Sequence, residues 1–147
     1  MWIRSGAGMK HELEVDAENQ WILVRYHGVI EEGDPLALLE RAVTMPGWSD
    51  KCDRIVVYGD DADLHKLDVA AFGRIRDQLA GFVDKYYGVT QTRSAQVCND
   101  RMKQVLLDFW MGLAGPDYPS QLQRFDTVEE AKAWLRRDRE NRDDHQA

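Results

Sequence analysis

Short strand-like runs alternate along this chain with longer stretches whose apolar residues recur every three or four positions. That alternation constrains the fold more than any single motif does. Trp21 to Tyr26 is almost continuously apolar, as a strand covered on both faces is. Asp34-Pro35 opens a helix, with Asp34 as the cap and Pro35 at the first helical position. Leu36, Leu39, Ala42 and Val43 form its buried stripe, and Pro46-Gly47 stops it. Arg54 to Tyr58 reads as another buried strand, ended by Gly59. Val69, Phe72, Ile75, Leu79, Phe82, Val83 and Tyr86 follow at helical spacing, with Gly88 as the stop. Strands and helices alternating in this way imply a mostly parallel sheet joined by right-handed crossovers.

The remaining elements extend the pattern at both ends. His11 to Asp16 alternates apolar and polar residues, and a short turn joins it to Trp21, so the two strands form an antiparallel hairpin. Ser94 to Cys98 is a short strand, and Asn99 or Asp100 caps the helix after it. Gln121 to Phe125 is the last strand. Thr127 then caps a closing helix, with Glu130 placed to complete a capping box and Trp134-Leu135 turned toward the core. The order is β-β-α-β-α-β-α-β-α: a five-stranded mixed sheet with helices on its faces and the first strand as its antiparallel edge. Residues 1–10 read as a loose leader, 11–135 as one domain, and 136–147 as a charged, fraying tail.

Composition excludes several function classes. A net charge of −7 argues against nucleic acid as the main partner, because phosphate backbones select clustered Lys and Arg. No apolar run is long enough for a membrane span or a secretory signal, so the chain is expected to stay in the cytoplasm. Cys52 and Cys98 make neither a disulfide framework nor a metal quartet, which suits a reducing compartment. Their places at opposite ends of two strands put them on the order of 15 Å apart. No glycine-rich phosphate loop or Gly-x-Ser-x-Gly elbow is present, and no cofactor is called for.

Three passages carry a resemblance to a known family: Tyr26-His27-Gly28 with the acidic turn that follows it to Asp34, Ser94 to Asp100, and the closing Phe125…Glu130-Ala131…Trp134-Leu135. Together they make the chain resemble the STAS-like (SpoIIAA-like) superfamily, especially its stand-alone bacterial members. The resemblance implies a helix-covered sheet and a role in binding or regulation. Anti-sigma-factor antagonists of this family carry a phosphorylatable Ser or Thr where the helix after the third strand begins. Here Leu64 to Ala71 holds neither, so that switch is not carried over. Distant relatives of the fold bind lipids, which leaves a small apolar ligand open.

Chemistry is concentrated past the third strand. Asp60, Asp61, Asp63 and His65 lie where open α/β sheets place ligands, at the carboxyl ends of strands. They suit either a hard cation with acid–base work or a polar loop whose aspartates form turns. Cys98 stands just before a helix, where a thiolate can be stabilised, although Asp100 nearby opposes one and a small buried core residue is the other reading. His27 ends the second strand. His27, Asp60, Asp61, His65 and Cys98 are therefore the candidate ligand-binding set around one mouth, and a small metal-dependent enzyme built on Asp60, Asp61, Asp63 and His65 is the alternative to a binding role.

The helix after Asp100 points to partners. Met102, Val105, Leu106, Phe109, Trp110 and Leu113 form its core stripe, and Leu107, Met111 and Ala114 extend the apolar surface sideways. Leu107, Trp110, Met111 and Ala114 are the expected interface, unless they are a widened core face lying under the tail or the Pro116–Pro119 loop. A homodimer is the simplest pairing, with another protein or a small apolar ligand as further partners.

Overall fold

A computed structural model describes the backbone of residues 3–4, 11–88 and 90–146, and side chains within 11–88 and 90–137. In chain order the elements are β1 (Ile3–Arg4), β2 (Glu12–Asp16), β3 (Trp21–Tyr26), α1 (Asp34–Ala42), β4 (Asp53–Tyr58), α2 (Val69–Tyr87), β5 (Thr92–Val97), α3 (Arg101–Ala114), β6 (Ser120–Phe125) and α4 (Val128–Gln146). The five expected strands and the mixed, mostly parallel sheet are present. The spatial order equals the sequence order: β2 and β3 pair antiparallel, then β3, β4, β5 and β6 pair parallel. Ile3 and Arg4, inside the stretch read as a loose leader, pair antiparallel with β2 as a two-residue strand. The first long strand is therefore not the edge.

Burial divides β3 by alternate residues. Ile22, Val24 and Tyr26 join α1, α2 and Trp110 of α3 in one core. Trp21 and Leu23 join Ile55, Val57, Ala95 and Val97 against Ala131, Trp134 and Leu135 of α4. The three crossover helices thus share one face and the closing helix covers the other. Both faces of β4 and β5 are consequently out of water, and all six residues of β5 are buried.

Several local expectations change. Asp34 is the first residue of α1 rather than its cap, because its carboxylate binds His11 Nε2 at 2.9 Å and the Glu31 N–H at 2.8 Å. Asp68 and Asp100 cap α2 and α3 by accepting from Ala71 N and Lys103 N. Thr127 Oγ1 accepts from Glu130 N at 3.2 Å, as a cap does, but its hydroxyl donates to Glu130 Oε1 at 3.0 Å. The reciprocal arm of the capping box thus runs side chain to side chain. The α4 backbone continues to Gln146, past the end expected near Leu135.

The α4 face holds a buried ion pair. Asp53 accepts from Arg93 N and from Arg93 Nη2, both at 3.0 Å, and the two side chains are 1% and 5% exposed. Arg93 also stacks on Trp134, its guanidinium carbon 5.6 Å from the ring centroid. Asp53→Ala would take the carboxylate from a buried guanidinium and is expected to cost about 3–5 kcal/mol. Urea unfolding measures this, and a loss under about 1 kcal/mol would contradict the structural role given to the pair.

Candidate functional site

The carboxyl ends of β3 and β4 form a polar rim. Gly59 N donates to Tyr26 O at 3.0 Å, and a Cβ at Gly59 would fall 2.9 Å from that oxygen, so only glycine lets the strands approach here. The loop after it is tied back by backbone bonds, Asp63 N to Gly28 O at 2.8 Å and Ile30 N to Asp63 O at 2.9 Å. The acidic turn before α1 is likewise used in ion pairs: Glu32 takes two bonds from Arg74, and Glu31 one from Lys66.

The expected site residues divide into separate pairs on this rim. His27 Nδ1 lies 3.3 Å from Asp61 Oδ1, and its Nε2 lies 3.4 Å from Glu12 Oε2. Burial pushes the Asp61 carboxyl up, but the His27 bond and backbone N–H groups outweigh it and leave the carboxyl below its ordinary value. Asp63 instead turns onto its own neighbour, accepting from His65 N at 2.9 Å and lying 2.8 Å from His65 Nδ1. The His65 N–H is the main cause of its lowered pKa. Asp60 offers its backbone carbonyl to Lys103 Nζ at 3.0 Å. His27 and Asp61 are brought together as expected, while Asp63 and His65 form their own turn. Among the described residues no three His, Cys, Asp or Glu side chains come close enough to share a metal ion.

Cys98 is buried rather than open to the rim. It is 1% exposed and its thiol donates to the Asp100 carbonyl at 3.6 Å. Burial pushes this thiol above its ordinary value, so the helix start that follows does not make it a thiolate. No disulfide joins Cys52 and Cys98, one before β4 and the other after β5. Cys98 in the native protein is expected to resist iodoacetamide at pH 8 and to react once the chain is unfolded in urea. Labelling of the folded protein as fast as of the unfolded would contradict its burial.

The expected interface on α3 is reversed. Leu107, Trp110 and Ala114 are buried, and Met111 packs at the edge of the core. Met102, Val105, Leu106, Phe109 and Leu113, read as the core stripe, are the exposed ones, with Met102 80% and Val105 68% exposed. The helix is apolar on nearly every side, so periodicity alone cannot say which side meets the sheet.

A second polar group lies at the amino ends of the central strands, facing α2 and α3. Arg54 of β4 is 4% exposed. Its Nη2 donates to Thr92 Oγ1 at 3.0 Å and to Ser120 Oγ at 2.6 Å. Thr92 Oγ1 donates to Ser120 Oγ, which donates to Thr92 O, so both hydroxyl protons are spent within this trio. The guanidinium carbon stands 5.3 Å from the Tyr87 ring centroid. Further along the same face, Tyr58 donates to Gln96 Oε1 and Gln96 Nε2 donates to Ser94 Oγ. Arg54, Ser94, Gln96, Tyr58 and Tyr118 line a cavity of about 60 Å³ whose other walls are apolar, among them Ile75, Leu79, Val83 and Leu122.

None of these residues was singled out from the sequence. One signal was there: Thr92, Ser94 and Gln96 put polar side chains at alternate positions of a strand that lies between two others. A doubly covered strand with one polar face has that face turned to buried partners or to a cavity.

No family model matches this chain, and no curated protein or solved structure matches it significantly.

Proposed function

We propose that this is a non-enzymatic, STAS-like binding domain of the stand-alone bacterial kind, acting in the cytoplasm through contacts of α3 and forming a homodimer. The observation that carries it is the outer face of α3. Met102, Val105, Leu106, Phe109 and Leu113 stand exposed along one side of a single helix. Exposed apolar patches of this kind mark interaction surfaces more than scattered single residues do. Spacing favours a helix as the occupant: Met102, Val105 and Phe109 repeat at the three–four interval of a helix-pairing seam, and Gly112 continues it without a side chain. The row is also self-complementary. In an antiparallel two-fold pair Met102 of one copy meets Phe109 of the other, with Val105 and Leu106 at the centre.

The family resemblance is supported by the sequential sheet and by the closing helix that seals its second face. Two cysteines outside any disulfide fit a reducing compartment, and no helix among the described residues is long and apolar enough to cross a membrane. A second branch of the same proposal, a small apolar ligand held inside the domain, is favoured by the apolar-walled cavity between the sheet and α2 and α3. The metal-enzyme alternative has less support, because the rim carboxylates are spread over separate local pairs.

Light scattering tests the dimer. The wild-type chain is expected at twice its 17.0 kDa mass, and Val105→Glu at the single mass with unchanged helix content. A monomeric wild type, or a variant that stays dimeric, would remove α3 as the seam.

A further inference from the structure

Arg54 is a buried cation facing neutral partners. Arginine keeps its charge in protein interiors. Thr92 and Ser120 bond its Nη2 through hydroxyls, and its Nη1 is out of water without a hydrogen-bond partner. Burial pushes the Tyr87 and Tyr118 phenols above their ordinary range, while the Arg54 charge pulls both back. Both therefore stay uncharged near neutral pH. No carboxylate among the described residues lies within ion-pair distance of Arg54. The contrast on the other face of the sheet is direct, where buried Arg93 holds Asp53. A buried charge is ordinarily paired, so Arg54 has room for a charge that the chain does not supply.

The surroundings say where that charge would sit. Arg54 lines the apolar cavity. The hydroxyls on its Nη2 also floor an outer pocket of about 510 Å³ under the α3–β6 connection, and Tyr118 and Leu122 border both spaces. One guanidinium thus lies between a polar pocket and an apolar-walled one. Ser94, whose Cα pairs in register with Arg54, accepts from Gln96 and keeps its own proton to donate.

We infer that Arg54 and this cavity bind a small monocarboxylate with an apolar body. One carboxylate oxygen takes Nη1 of Arg54, the Ser94 hydroxyl serves the other, and the body lies along Leu79, Val83 and Leu122. Two donors suit the two oxygens of a carboxylate, whereas a phosphate dianion asks for more. The cavity bounds the size: about 60 Å³ is well under the roughly 150 Å³ of an apolar cavity that holds benzene, so only a short aliphatic chain suits it, and long-chain lipids do not fit. The inference rests on the internal-ligand branch of the proposed function and names its ligand class.

Titration calorimetry on the full chain tests it with hexanoate, 1-hexanol and hexyl phosphate at matched ionic strength. Hexanoate is expected to bind at least about tenfold more tightly than 1-hexanol, the worth of a charge-assisted bond. Arg54→Met should erase that difference, weakening hexanoate far more than 1-hexanol. In wild-type protein, where no variant needs to fold, the Arg54 Nε–H resonance should shift with hexanoate and stay in place with 1-hexanol. Equal affinities for acid and alcohol would overturn the anionic head and leave an internal apolar ligand standing. Preference for hexyl phosphate would overturn the carboxylate assignment. No binding of any of the three would overturn the site and the internal-ligand branch together.

Discussion

Four parallel strands laid side by side in chain order, with crossovers of one hand, put α1, α2 and α3 on the same face of the sheet. The rest of the structure depends on this constraint. The opposite face is left bare until the chain returns to it, which is what α4 does with Ala131, Trp134 and Leu135. β4 and β5 are then enclosed on both sides, and any charge they carry must be satisfied inside the protein. β4 carries two consecutive ionisable residues that point to opposite faces. Asp53 meets Arg93 under α4, and Arg54 meets hydroxyls and a ring under α2 and α3.

The same constraint shapes the outside. α3 packs at one end of the row of helices, with one side on the core through Leu107, Trp110 and Ala114. Among the described residues no further helix covers its other side, and Met102 and Val105 are exposed. The interior site and the α3 surface are therefore separate consequences of one layout. Phe72 links them, since its ring sits 6.1 Å from Phe109 on the exposed side and 6.4 Å from Trp110, which lines the cavity.

The sequence made the order of elements legible because each carries its own period and its own stop: Trp21–Tyr26 and Arg54–Tyr58 as buried runs, Asp100 as a cap, Gly88 as an end. Sites were harder to see. The aspartates after β4 drew notice as a cluster, yet Asp61 is bound by His27 and Asp63 by the N–H of His65, as residues in turns are. α3 was read back to front because apolar residues surround it, and only the position of its neighbours decides which side is covered. His11, in a stretch read as peripheral, is buried between Asp34 Oδ2 at 2.9 Å and the His27 N–H at 3.1 Å. The latter bond makes Nδ1 the acceptor and puts the ring proton on Nε2, toward the carboxylate. Arg54 looked like the polar start of a strand. Its isolation appears only when three strands bring Thr92, Ser94 and Ser120 beside it.

On the proposed assignment, Arg54 serves a ligand more than the stability of the ligand-free protein. Removing it leaves no orphan behind: the Thr92 and Ser120 hydroxyls still bond each other, and Tyr87 OH still donates to Cys52 O at 2.8 Å. Replacing a buried charge by an apolar side chain of similar size is commonly neutral or stabilising, by up to about 4 kcal/mol. The most direct measurement is the unfolding free energy of ligand-free Arg54→Met beside wild type in urea. Stability equal to wild type within about 1 kcal/mol, or above it, is the expected result. A loss of about 3 kcal/mol or more would make Arg54 a structural residue and contradict its assignment to a ligand.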